Sequence, residues 1–111
     1  MIASLKGVLK SARVLHARLA GVAGFTGSGW FRYARSAAGS ANYEVEAKGV
    51  AGQQAELFAH GEYIATVDVA DGRVAARLDS RLGDPAILLN SGDVIEIRQN
   101  GDAIMAGALG G

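Results

Sequence analysis

The run Trp30, Phe31, Arg32, Tyr33 and Arg35 sets aromatic rings among guanidinium groups. Rings of this kind stack on bases or sugar faces, and neighbouring cations hold phosphate or another anion. On a strand, successive side chains point to opposite faces. Trp30, Arg32 and Ala34 then share one face, and Phe31, Tyr33 and Arg35 the other. The rings are therefore split between two faces, and one set belongs to a core or an interface. With the upstream cations the candidate binding patch is Arg13, Arg18, Trp30, Arg32 and Arg35.

Other candidates are weaker. His16 and His60 form no H-x-H or H-E-x-x-H spacing and accompany no tight Asp cluster, so no metal site is expected. His60 precedes Gly61 and suits a turn. Gly24-Phe25-Thr26-Gly27-Ser28-Gly29 superficially resembles a phosphate-cradling loop. It lacks the Gly-Lys-Ser/Thr ending and a following helix, and reads as a connecting loop. Asp79-Ser80-Arg81 with Asp84 suggests a hydrolase only if a base faces Ser80, and neither histidine is placed for that. Glu44 and Glu46 share a strand face, where solvated charge is the default. There is no cysteine, which removes thiol nucleophiles, disulfides and cysteine zinc sites. No catalytic residue, cofactor or metal ligand is expected, and the chain reads as a non-enzyme.

These residues must be positioned by strands. Ala41, Tyr43, Val45 and Ala47 alternate with polar partners, the pattern of a half-buried strand. Ala55, Leu57 and Ala59 form a short strand, followed by Tyr63, Ala65, Val67 and Val69 facing inward opposite Ile64, Thr66 and Asp68. That second strand looks buried on both faces along part of its length. Asp71-Gly72 and Asn100-Gly101 are strong type I′ hairpin turns, since both central positions need positive φ. Val74, Ala76 and Leu78 follow the first turn. Ile95 and Ile97 precede the second, and 103–109 follows it. Residues 79–93 are irregular, and their apolar middle, 86–89, covers one end of the core. Near the start, Leu15, Ala17 and Leu19 point inward on a strand over 13–19, and 21–29 connects it to a strand over 30–35. A helix over 2–20 is the rival reading. It lacks a capping box and carries Gly7 at its centre. Residues 1–11 stay open between the two. The chain is all-β, an antiparallel β-sandwich or closed barrel of about seven or eight strands in a single domain, 1–111.

The 111 residues are half hydrophobic and include 16 glycines, which fits a foldable chain with many tight turns. Net charge is zero, but unevenly distributed. Lys6, Lys10, Arg13, Arg18, Arg32 and Arg35 precede the first acid, Glu44. Every other acid follows it, against Lys48, Arg73, Arg77, Arg81 and Arg98. Either neighbouring strands neutralise each other, or the basic half meets an anionic partner. No apolar run is long enough for a membrane span. The early cations interrupt any signal-peptide core, so a cytoplasmic location is expected.

Three stretches resemble a known family: Ala17-Arg18-Leu19-Ala20-Gly21, then Gly29-Trp30-Phe31, then Tyr43-Glu44-Val45-Glu46-Ala47-Lys48-Gly49-Val50. Across roughly 17–60 the chain is similar to the chordin-type domain of bacterial and extracellular proteins, and more loosely to the Greek-key sandwich of copper–zinc superoxide dismutases. The resemblance implies a β-sandwich fold. Where those families carry a His-rich strand this chain has Ala59-His60-Gly61, so metal binding is not implied.

The expected role is a non-enzymatic binding or assembly module that self-associates as a homo-oligomer, with protein partners open. A small scaffold gains buried surface by association. A second expectation is a binder of nucleic acid or another anionic ligand through the basic half. A third is a sugar-binding domain or small enzyme with a pocket near 24–29.

Overall fold

Apolar and polar side chains alternate along nearly every strand, and this alternation sorts the structure into an inside and an outside. The computed structural model describes residues 13–111. The open question about 1–11 lies outside the described residues. Eight strands follow in order: β1 (Arg13–Gly21), β2 (Ser28–Arg35), β3 (Ala41–Lys48), β4 (Gln54–Ala59), β5 (Glu62–Ala70), β6 (Arg73–Asp79), β7 (Val94–Gln99) and β8 (Asp102–Ala108), with a 3-10 turn, Ser80–Leu82, after β6. They pair antiparallel in the order β1-β2-β3-β6-β5-β4-β7-β8 and close on β1. Of the two architectures the sequence allows, the molecule is the closed barrel. Among the described residues, no helix is long and apolar enough to cross a membrane.

The barrel divides into two halves of four strands, β1-β2-β3-β6 and β5-β4-β7-β8, joined along two seams. β5 and β6 share only Val69↔Val74 and Ala70↔Arg73. β1 and β8 share Ala20↔Ala106 and Gly21↔Met105, with a further bridge at His16↔Gly110. Gly107 lets β8 approach at this second seam: a Cβ there would lie 2.0 Å from the Arg18 carbonyl oxygen. Pairing at both seams is short, so the edges of β5, β6, β1 and β8 that face each other are mostly unpaired there.

The interior is a filled apolar core. The half β1-β2-β3-β6 supplies its aromatics, Phe31, Tyr33 and Tyr43, beside Leu15, Leu19 and Val45. The other half supplies aliphatics such as Leu57, Ile64, Val67, Ile95, Ile97, Ile104 and Met105.

Three two-residue turns carry the positive φ pairs of type I′ geometry: His60-Gly61 (53° and 78°), Asp71-Gly72 (54° and 74°) and Asn100-Gly101 (54° and 83°). The first and third belong to related hairpins. Each turn is followed by an acid, Glu62 or Asp102. Each then has a bulge that leaves Ile64 or Ile104 as an extra inward residue. The two hairpins meet where Leu57 pairs with Ile97. The bulge corrects one expectation: Tyr63, read from strict alternation as inward, is 54% exposed, and Ile64 is buried in its place. An extra residue reverses the facing of what precedes it.

The irregular stretch 83–93 crosses one end of the barrel as a strap. Leu89 is buried and Ile87 packs on the core, while Leu88 is 68% exposed. Two interior phenols hold the strap by its backbone. Tyr33 Oη donates to Ile87 O (2.8 Å) and accepts from Leu89 N (3.3 Å); Tyr43 Oη donates to Pro85 O (2.9 Å). Burial, reinforced by Asp84 and then Tyr33, pushes the Tyr43 hydroxyl up to about 12.

Candidate functional site

The register of β1, β2, β3 and β6 fixes what stands side by side on their outer face. One row reads Ala20, Ser28, Lys48, Arg73; the next Arg18, Trp30, Glu46, Ala75; the third His16, Arg32, Glu44, Arg77. The first two rows line a shallow groove of about 460 Å³, with Leu19, Gly29, Ala47 and Val74 contributing to its floor. Trp30 is 37% exposed and lies in this groove. Arg18 is its direct neighbour on β1 and Glu46 on β3. Lys48 and Arg73 form a cross-strand pair of like charges, an arrangement that destabilises a sheet unless something negative relieves it. Among the described residues, Arg18, Lys48 and Arg73 make no ion pair.

The structure divides the candidate patch. Arg18 and Trp30 are brought together. Arg32 shares the face, but its Nη1 lies 3.9 Å from Glu44 Oε1, and Arg77 Nε lies 3.1 Å from Glu44 Oε2. One carboxylate thus partly neutralises the two arginines of that row, in the way expected of neighbouring strands. Arg13 and Arg35 pair with each other at the barrel end, on the opposite pleat from Trp30. Arg35 Nη1 is buried without a hydrogen-bond partner among the described residues. Lys48 and Arg73 were not singled out from the sequence. They are far from Trp30 along the chain, and only the β2-β3-β6 pairing brings them to it.

The remaining candidates resolve into structural roles. His60 holds the left-handed first position of its turn, with Nδ1 3.2 Å from Asp93 Oδ1. His16 faces outward, and its backbone pairs with Gly110. Ser80 Oγ accepts from Ala41 N (2.9 Å), and Asp84 Oδ2 accepts from Asp79 N (2.8 Å). Arg81 donates from its backbone and side chain to Asp79, holding that carboxyl below the usual range and the guanidinium above its own. No base faces Ser80 in this cluster. Among the described residues, no group of three or more acidic or histidine side chains could hold a metal ion. Of the Gly-rich stretch, Ser28 and Gly29 line the groove.

The opposite half-barrel carries the opposite charge. Its outer residues include Glu56, Glu62, Asp68, Glu96 and Asp102 against Arg98. Arg98 is fully engaged. Its guanidinium lies 4.0 Å over the Phe58 ring and donates to Glu96 Oε1, with an N···O distance of 2.5 Å. Tyr63 meets Phe58 edge-on at 5.8 Å. A second, more polar cleft of about 490 Å³ lies between the β3–β4 connection and Asn100. There Gln99 Nε2 is spent on the carbonyls of Ala51 and Gln54.

Comparison with protein-family models and with curated proteins finds no match for this chain.

Proposed function

We propose that this barrel is a non-enzymatic binding module whose outer β1-β2-β3-β6 face takes an anionic ligand with a flat, apolar side. The observation that carries the reading is Trp30 sharing one groove with Arg18, Lys48 and Arg73, none of the three cations being engaged by an acid among the described residues. Binding sites combine an apolar floor with a few convergent polar groups, and a ring with unspent cations beside it supplies both. The core is filled by apolar side chains with no buried polar or charged residue among those described, which favours a binding surface on the outside of the barrel.

Trp30 is the sole tryptophan, so its emission reports directly. Titration at low ionic strength with oligogalacturonate, inorganic polyphosphate and oligothymidylate is expected to shift it with at least one of them. The affinity should fall as salt rises. An emission spectrum unmoved by all three would retire the reading.

A second reading, self-association, is favoured by the segregation of charge. The cationic outer half of one copy complements the acidic outer half of another, a head-to-tail contact of the heterologous kind. Light scattering at low salt should then give a mass above that of one chain, returning to one chain at high salt. A single-chain mass at high micromolar concentration and low salt would eliminate it.

A further inference from the structure

We infer that the Trp30 groove selects an acidic saccharide, a uronic-acid oligosaccharide, over other polyanions, with Glu46 as the selecting residue. This rests on the anion-binding reading above. A groove built only for negative charge would place cations on both sides of its ring. Here one neighbour of Trp30 is Arg18 and the other is the exposed carboxylate of Glu46. An ionised carboxylate only accepts hydrogen bonds. Beside the phosphates of a polyphosphate or of a phosphodiester backbone it has nothing to accept and repels. Beside a sugar it accepts from ring hydroxyls, a charge-assisted bond stronger than a neutral one.

The remaining groups fit the same ligand. The flat, C–H-rich side of a pyranose stacks on an indole face. Lys48 stands diagonally from Trp30 across β2 and β3, a step of roughly 7–8 Å. A carboxylate attached to the stacked ring or to its neighbour can reach Lys48 and Arg73. Ser28, beside Lys48 in the same row, both donates and accepts. The occupant therefore carries both hydroxyls and carboxylates, and it relieves the like-charge pair that the sheet alone leaves unrelieved.

The test is the response of two ligands to one substitution, read from Trp30 emission. In the wild-type chain oligogalacturonate should bind more tightly than inorganic polyphosphate or oligothymidylate at the same ionic strength. Glu46→Ala should weaken oligogalacturonate by about tenfold, the size of one charged hydrogen bond, and should tighten polyphosphate. Glu46→Gln keeps an acceptor oxygen and should retain most of the oligogalacturonate affinity. The far-ultraviolet dichroism of each variant should match wild type, because position 46 is exposed on β3. Should Glu46→Ala tighten both ligands alike, or oligothymidylate bind best, the saccharide assignment falls while the anion-binding face survives. If no probe moves the emission, both fall.

Discussion

Trp30 and Phe58 both stand on the outside of the barrel, on opposite halves, and they are used in different ways. Phe58 is half-buried beneath Arg98, meets Tyr63 edge-on, and belongs to a cluster in which the cation also has a carboxylate. Trp30 has a cation on one side and an acid on the other, and neither is stacked on its ring. The interior inverts this relation. The half bearing Trp30 sends Phe31, Tyr33 and Tyr43 inward, whereas the half bearing Phe58 fills its share with aliphatic side chains. A ring already engaged by its own chain supports the fold. A ring left beside unspent charges is available to something else.

The sharpest way to break this comparison is to truncate the three aromatics in turn and follow urea unfolding. Phe31→Ala should cost about 4 kcal/mol, as expected for a fully buried ring. Phe58→Ala should cost about 2 kcal/mol, from partial burial and the lost cation–π and edge contacts. Trp30→Ala should cost under about 1 kcal/mol, as for a surface position, while abolishing anion binding followed by titration calorimetry at low salt, since this variant keeps no tryptophan to report. If Trp30→Ala proves as costly as Phe58→Ala, the two faces do not differ and Trp30 is a structural residue.

Removing only the Tyr33 hydroxyl comes next. Tyr33→Phe leaves the Ile87 carbonyl and the Leu89 amide without their partner, which should cost about 2 kcal/mol. It should also raise hydrogen exchange across the strap, leaving the hairpins β4–β5 and β7–β8 protected. Uniform loss of protection would show that the strap is not a separate unit.

Alkaline titration sharpens the interior contrast. Tyr43 holds its proton to about pH 12 in the folded chain, whereas a tyrosine in the unfolded chain releases it at its ordinary value of 10.0. Between those values the native state binds more protons than the unfolded state. Stability is therefore complete below about pH 10 and declines as pH rises toward 12. Urea midpoints measured across this window should fall for wild type and fall less steeply for Tyr43→Phe. Equal slopes would assign the alkaline loss to other groups.

The smallest effect concerns the row in which Arg32 and Arg77 share Glu44. Glu44→Gln frees Arg32 and Arg77 at a cost of about 0.5 kcal/mol, since both cations are substantially exposed. It should also modestly raise the affinity of the face for polyphosphate at low salt. An unchanged affinity would place the anion site outside this face.

The sequence foretells what is local. Leu15, Ala17 and Leu19 face inward because side chains alternate, and the Asp71-Gly72 and Asn100-Gly101 turns form because few residue pairs tolerate their backbone. The splitting of Trp30 and Arg32 from Phe31 and Tyr33 follows from the same alternation. What escapes is whatever depends on pairing between distant segments. Closure of β8 on β1, the diagonal of Lys48 from Trp30, and the gathering of opposite charges onto opposite halves all follow from strand order, which no stretch of residues encodes alone. Arg13 and Arg35 illustrate the limit. Their pleat is readable, but their pairing with each other at the barrel end is not. Ile64 fails for a subtler reason: the bulge is a geometric response to the tight turn before it, so a strict count of alternating residues misfaces Tyr63.

The strap is clamped by its peptide oxygens at Pro85 and Ile87, so the side chains of Ala86 and Leu88 have no part in holding it. Substitution at those two positions is thereby uncoupled from barrel integrity, and this rim of the molecule can diversify its recognition chemistry over evolutionary time, or in a display library, while the scaffold beneath stays the same.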